Sequence, residues 1–145
     1  MEILETLLSL FFPKELTQYF DLKSHREFKD ERSSAMILEI TFEEKNELPP
    51  GYSAADYQAK DFIEKTILDV PIRTRPVQLV IRRRRWRHKI TGEIIKRDLS
   101  FIAQDGKYTS DLVTFLKGGD WNTSSSHIYN LLFLQSRPRF GEEEL

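Results

Sequence analysis

The sequence predicts an α+β domain: short N-terminal helices, a small antiparallel sheet with a long arginine-rich β-hairpin, and a C-terminal helix. Three observations predict it. Ile3, Leu4, Leu7, Leu8 and Phe11 recur at helical spacing. Met36, Leu38, Ile40 and Phe42 alternate with Ile37, Glu39, Thr41 and Glu43, the pattern of a half-buried strand. Val77–His88 is a long strand candidate, and a glycine-containing turn separates it from a second at Ile94–Ile102.

The elements follow in order. Residues Glu2 to Phe12 form the first helix. Pro13 cannot continue it but suits the first turn of another, Lys14 to Phe20, which buries Leu16, Tyr19 and Phe20. Ser24 to Ser34 is polar and reads as a loop or hairpin return. Ala35 to Lys45 is a strand. Asn46 to Ala55 carries Pro49, Pro50 and Gly51 and is irregular. Tyr57 to Lys65 is polar and ambiguous. Thr66 to Val70 is a short apolar strand ended by Pro71, and Arg73 to Pro76 makes a turn.

Lys89-Ile90-Thr91-Gly92 suits a type I turn closed by a bulge, with Gly92 at positive φ. That register sets Ile81 opposite Phe101, Arg83 opposite Leu99, Arg85 opposite Arg97 and Arg87 opposite Ile95. Val77, Leu79, Ile81, Phe101, Leu99 and Ile95 then share one face with Arg83, Arg85 and Arg87. Val80, Ile102, Trp86 and Ile94 share the other with Arg82, Arg84, Lys96 and Asp98. A slip of one residue exchanges the faces. Thr109 or Ser110 caps a helix with Asp111 in its first turn, Leu112, Val113, Phe115 and Leu116 on its apolar face, and Gly118 and Gly119 at its end. Residues 1–118 make one domain, and 119–145 a tail with one helix near His127 to Gln135.

The chain has 145 residues, 22 basic and 23 acidic, for a formal charge of -1. The total conceals the distribution. Val70 to Gly92 holds eight basic residues and no acidic one, so it carries +8 and the remainder -9. Glu27 to Asp69 alone has 11 acids against 5 bases. Such asymmetry speaks to partners more than the sum does.

Four successive arginines need an anionic partner or full solvation, because arginine is almost never buried unpaired. Phosphate is one partner: the guanidinium fork matches its oxygens and stays charged. Side chains on one strand face repeat every ~6.6–7 Å, a spacing suited to tracking a nucleic-acid backbone. The protein's own acids are another partner, and a localisation signal is a third reading of the same run. Trp86 is either core or a platform for stacking on a base. The DNA-binding candidates are Arg73, Arg75, Arg82, Arg83, Arg84, Arg85, Trp86, Arg87, Lys89 and Arg97.

Catalysis finds little support. With no cysteine there is no disulfide, thiolate nucleophile or Cys-based metal site, which fits a reducing cytosol. His25, His88 and His127 lack metal-ligand spacing, nothing orders Asp56, Asp61, Asp69, Asp98 and Asp105 into a carboxylate pair, and no phosphate-binding glycine loop is present. No cofactor is expected. The apolar run Leu7 to Phe12 has neither a basic region before it nor small cleavage-type residues, so no signal peptide is expected, and no stretch reaches the ~20 apolar residues of a membrane span.

Thr66 to Arg73 with its Asp69-Val70-Pro71, Val77 to Trp86, Thr91-Gly92-Glu93, Lys96 to Leu99 and Phe115-Leu116-Lys117 occur in one order. With Phe12 to Leu16 and Tyr19-Phe20 upstream, the chain resembles the N-terminal region proteins of ISAon-type insertion-sequence transposases over residues 7 to 117. The resemblance implies a DNA-binding front end for an element's terminal repeats, with the acidic-triad catalytic domain downstream or on a separate reading frame. The layout is also similar to transposases that begin with a zinc ribbon, but the cysteines that follow the arginine strand there are missing here. Packing must replace the metal. Beyond Lys117 the chain departs from the family. The alternative is a protein-interaction module that docks an acidic partner or the catalytic transposase subunit.

Overall fold

The computed structural model describes residues 2–117 with the exception of 105. Its elements are α1 (Glu2–Phe11), α2 (Lys14–Tyr19), β1 (Phe20–Lys29), β2 (Met36–Glu44), β3 (Tyr57–Ile72), β4 (Arg75–His88), β5 (Ile94–Ile95) and α3 (Ser110–Lys117). The α+β class is as expected: N-terminal helices, a sheet with a long arginine-rich hairpin, and a helix after it. The expected tail helix near His127 to Gln135 lies outside the described residues.

The sheet runs β1-β2-β4-β3, with β5 beside β4. It is mixed, because β2 and β4 are parallel, Leu38 opposite Val77 through Glu43 opposite Arg82. The polar segment from Ser24 belongs to β1, paired antiparallel with β2. The arginine strand is therefore central, held by β2 on one side and β3 on the other.

The long hairpin has a different partner from the expected one. β4 pairs with β3 over almost its whole length, from Ile72 opposite Arg75 to Tyr57 opposite His88. The turn between them is Arg73-Thr74, both residues at positive φ (50° and 68°), the conformation that two-residue hairpins demand. Pro71 lies within β3 rather than ending it. On the downstream side only β5 pairs with β4, Trp86 opposite Ile95 and Arg87 opposite Ile94. The expected register is thus off by one residue, which moves Ile95 onto the face of Trp86 and Ile94 onto that of Arg87. The ladder stops at Ile95 because β2 fills that edge of β4 up to Arg82 and Glu44 Oε1 takes the Arg84 N in between. The Gly92 turn itself is as expected, with φ at 78°.

Each edge strand carries a bulge. Lys23 is the extra residue between Leu22 and Ser24 of β1, and Lys60 between Ala59 and Asp61 of β3.

The odd-numbered residues of β4, Val77, Leu79 and Ile81, are fully buried, with Ile40 and Phe42 of β2 and Ile67 of β3 on the same face. Phe12, Leu16 and Phe20 cover them, with Phe12 edge-on to Phe42 at 5.3 Å and Phe20 edge-on to Phe101 at 6.4 Å. Burying side chains of this kind contributes about 1.5–3 kcal/mol each. Glu15 of α2 accepts hydrogen bonds from Ser100 N and Oγ and from Phe101 N, which pins the stretch after β5 to the helix.

On the opposite face α3 packs Leu112 against Ile37, Phe28 and Leu68. Thr109 caps it, its Oγ1 accepting from Leu112 N at 3.0 Å and donating to Asp69 Oδ1 at 2.7 Å. Burial of Asp69 pushes its carboxyl above the ordinary range, against the hydrogen bonds from Thr109 and Val70 N. The helix α1 adds little to the core: Ile3 and Leu10 are 77% and 73% exposed. No helix among the described residues is long and apolar enough to cross a membrane.

Candidate nucleic-acid interface

Alternation along β4 divides the arginines between two faces. Arg82 and Arg84 point to the α3 face, beyond the reach of that helix. Arg83, Arg85 and Arg87 point to the α1–α2 face, beyond the apolar core. Because β4 is central, the strands on either side bring acids to the Arg82 and Arg85 guanidiniums and a backbone carbonyl to that of Arg84.

Arg82 lies between Glu43 of β2 at 3.3 Å and Glu64 of β3 at 3.8 Å. Arg84 Nε donates to Glu44 O at 2.9 Å, and its backbone N donates to Glu44 Oε1 at 2.8 Å. Both guanidiniums lie over the Phe62 ring, 4.7 and 4.5 Å from its centroid, a cation–π cluster. Arg85 makes a bidentate pair with Asp61, 2.7 and 2.5 Å. The Arg85 hydrogen bonds hold the Asp61 carboxyl at about 2. Arg83 donates to Arg97 O, while its Nε is buried without a hydrogen-bond acceptor among the described residues. Burial lowers its pKa, opposed by Glu44 and Asp98.

Arg97 is buried. Its Nε donates to Glu44 Oε2 at 3.0 Å, its Nη2 to Glu47 O, and its guanidinium stacks 4.0 Å from the Tyr19 ring. Glu44, itself 1% exposed, thus neutralises Arg97 and anchors the backbone of Arg84. Trp86 is also 1% exposed, and its Nε1 donates to Asn46 Oδ1 at 2.9 Å. Its indole is core, and the stacking-platform reading gives way to packing. Arg75 pairs with Glu27.

The remaining candidates are different. Arg87 and Lys89 are exposed and have no ion pair among the described residues; Lys89 Nζ reaches only Ala54 O at 3.3 Å. Arg73 is exposed at the opposite end of β4, about 40 Å away at strand rise. Arg73 and Arg75 therefore belong to another end of the molecule. Lys96, just after β5, is exposed beside the Arg87 end. Residues 82–97 hold eight cations against one acid, Glu93.

Sequence reasoning missed Glu44, Asp61, Phe62 and Glu64, the residues that receive the arginines. The signal was present as the spacing of Asp61 and Glu64, which places them opposite Arg85 and Arg82 once the hairpin turns at Arg73-Thr74. Among the described residues no three His, Asp or Glu side chains come together as a metal site. Comparison with protein-family models, curated proteins and solved structures returned no match.

Proposed function

We propose that the chain is a non-catalytic DNA-binding module, the N-terminal region of an insertion-sequence transposase, with the acidic-triad chemistry on a separate segment. One observation carries the DNA-binding part: the arginine strand ends in a cluster of exposed cations, Arg87, Lys89 and Lys96, that no acid among the described residues neutralises. Phosphate completes such a cluster. The transposase assignment rests on the motif resemblance over residues 7 to 117. On this reading the module works in the cytoplasm on nucleoid DNA and contacts the element's terminal repeats. Arg82 to Arg85 shape and rigidify the strand, and Arg87, Lys89 and Lys96 make its phosphate contacts.

The test is duplex binding by the full chain at two salt concentrations. Each neutralised phosphate contributes a slope of about -0.9 in log K against log salt. The variant Arg87→Ala with Lys89→Ala loses about 1.8 from that slope and keeps the wild-type melting temperature. Unaltered affinity and slope would refute the assignment of these two residues.

A protein partner is the second reading, favoured by the exposed apolar side chains of α1, Ile3, Leu4, Leu7, Leu10 and Phe11. The catalytic transposase subunit is its natural occupant, and a pull-down of that subunit that survives nuclease treatment supports it.

A further inference from the structure

Ile90 is 88% exposed, the most exposed large apolar side chain of the described residues, and it stands at the outermost point of the β4–β5 turn. A single exposed isoleucine ordinarily carries no meaning. This one is displayed on a rigid mount. Ile90 N and Thr91 N both donate to His88 Nδ1 at 3.1 Å. His88 N donates to Glu93 O at 2.8 Å, Gly92 N to His88 O at 3.0 Å, and Lys89 N to Asp56 O at 2.8 Å. Glu93 N donates to Thr91 Oγ1 at 3.2 Å, and Glu93 Oε1 accepts from Tyr57 OH at 2.7 Å. The Tyr57 ring in turn packs edge-on against His88 at 4.9 Å.

Seven hydrogen bonds thus hold a five-residue turn whose tip is an aliphatic side chain facing water. Cations border it: Arg87 and Lys89 precede it, and Ile94, itself 41% exposed, sits opposite Arg87 with Lys96 two residues on. The acid Glu93 is engaged by Tyr57, whose hydroxyl that bond pushes up to about 12. A preorganised apolar point with exposed cations on the chain leading into and out of it fits one ligand chemistry well. Duplex DNA offers phosphates to the cations and a stacked, apolar interior to the point. Proteins that insert apolar side chains between base steps unstack and kink the duplex, and pyrimidine–purine steps yield most easily.

We infer that Ile90 is a wedge that enters a base step of the bound duplex while Arg87, Lys89 and Lys96 hold the flanking phosphates. The inference rests on the DNA-binding reading and goes beyond it, because phosphate contact alone requires no unstacking.

The experiment uses the full chain and a duplex with 2-aminopurine at a central TA step. Wild-type binding raises the probe's fluorescence, since unstacking relieves its quenching. Ile90→Ala abolishes that rise and weakens binding about tenfold, the worth of withdrawing one aliphatic side chain from an apolar site. Ile90→Leu restores both. An exposed position leaves the melting temperature unchanged, which checks folding. If wild type and Ile90→Ala bind equally, or neither alters the probe, the wedge is wrong and the phosphate contacts stand. If wild type fails to bind any duplex at low salt, the DNA-binding reading falls and the wedge with it. Loss of a protein partner in Ile90→Ala with DNA binding intact also overturns the wedge.

Discussion

The two halves of the cationic strip contain the same kind of residue in different company. Arg82 to Arg85 have β3 along one side and the last residues of β2 at the other, and Glu43, Glu44, Asp61 and Glu64 meet them or their backbone. Two residues further on, β2 has ended, β3 offers Gln58 and Tyr57 opposite Arg87 and His88, and the cations are left to solvent. A run of basic residues is therefore not one site. The strands beside it decide which members are structural and which remain available. The local charge of the sequence counts both alike.

The contrast breaks hardest at Glu44. Glu44→Ala removes the counter-ion of a buried guanidinium, and breaking a buried pair in this way costs about 3–5 kcal/mol. Urea denaturation measures it, and a loss under 1 kcal/mol would mean that Arg97 finds water instead. Trp86→Phe keeps most of the ring volume but leaves Asn46 Oδ1 without its donor, for a loss of about 1–2 kcal/mol. Its DNA affinity, measured by anisotropy, stays at the wild-type value if Trp86 is core; a fall at unchanged stability would return it to the interface.

The smallest effect belongs to Asp61→Asn. The Asp61 pKa is depressed in the fold, so its ion pair contributes stability above the ordinary carboxylate pKa of 3.8 and loses it as pH falls through about 2. Wild type and variant then differ in stability at pH 7 and converge below pH 2. The pair is solvent-exposed, so the difference is small. At neutral pH the variant also frees Arg85, and a gain in duplex affinity would extend the available cations inward along the strand.

Helices and apolar strands were legible because periodicity reports burial directly. The helix at Glu2 to Phe12, the break at Pro13, the strand at Ala35 to Lys45, the cap at Thr109 and the Gly92 turn all come from local rules. Of β3 only the apolar end, Thr66 to Val70, did; the longer first part did not, for two reasons. From Tyr57 to Thr66 it is solvent-exposed on both faces except at Phe62 and Tyr57, so no apolar alternation marks it. The turn from Arg73 was expected, but Arg73-Thr74 lacks the glycine or asparagine that usually announces the positive φ of a two-residue hairpin. The parallel pairing of β4 with β2 is likewise out of reach of local rules, since nothing local encodes a parallel pairing. The arginine strip itself was legible at once, but its division into paired and unpaired members required the neighbours' register.

The two bulges at Lys23 and Lys60 have a consequence for the protein's company with itself. β1 and β3 are the outer strands of the sheet, each a potential template for a strand from another copy. Each bulge interrupts the outward row of backbone donors and acceptors and places a lysine at the interruption. Residues 107–109 cover a further stretch, where Leu68 N donates to Lys107 O and Thr109 N to Leu68 O. A sheet whose outer edges are interrupted and charged in this way can thus stay unassociated with other copies at high local concentration.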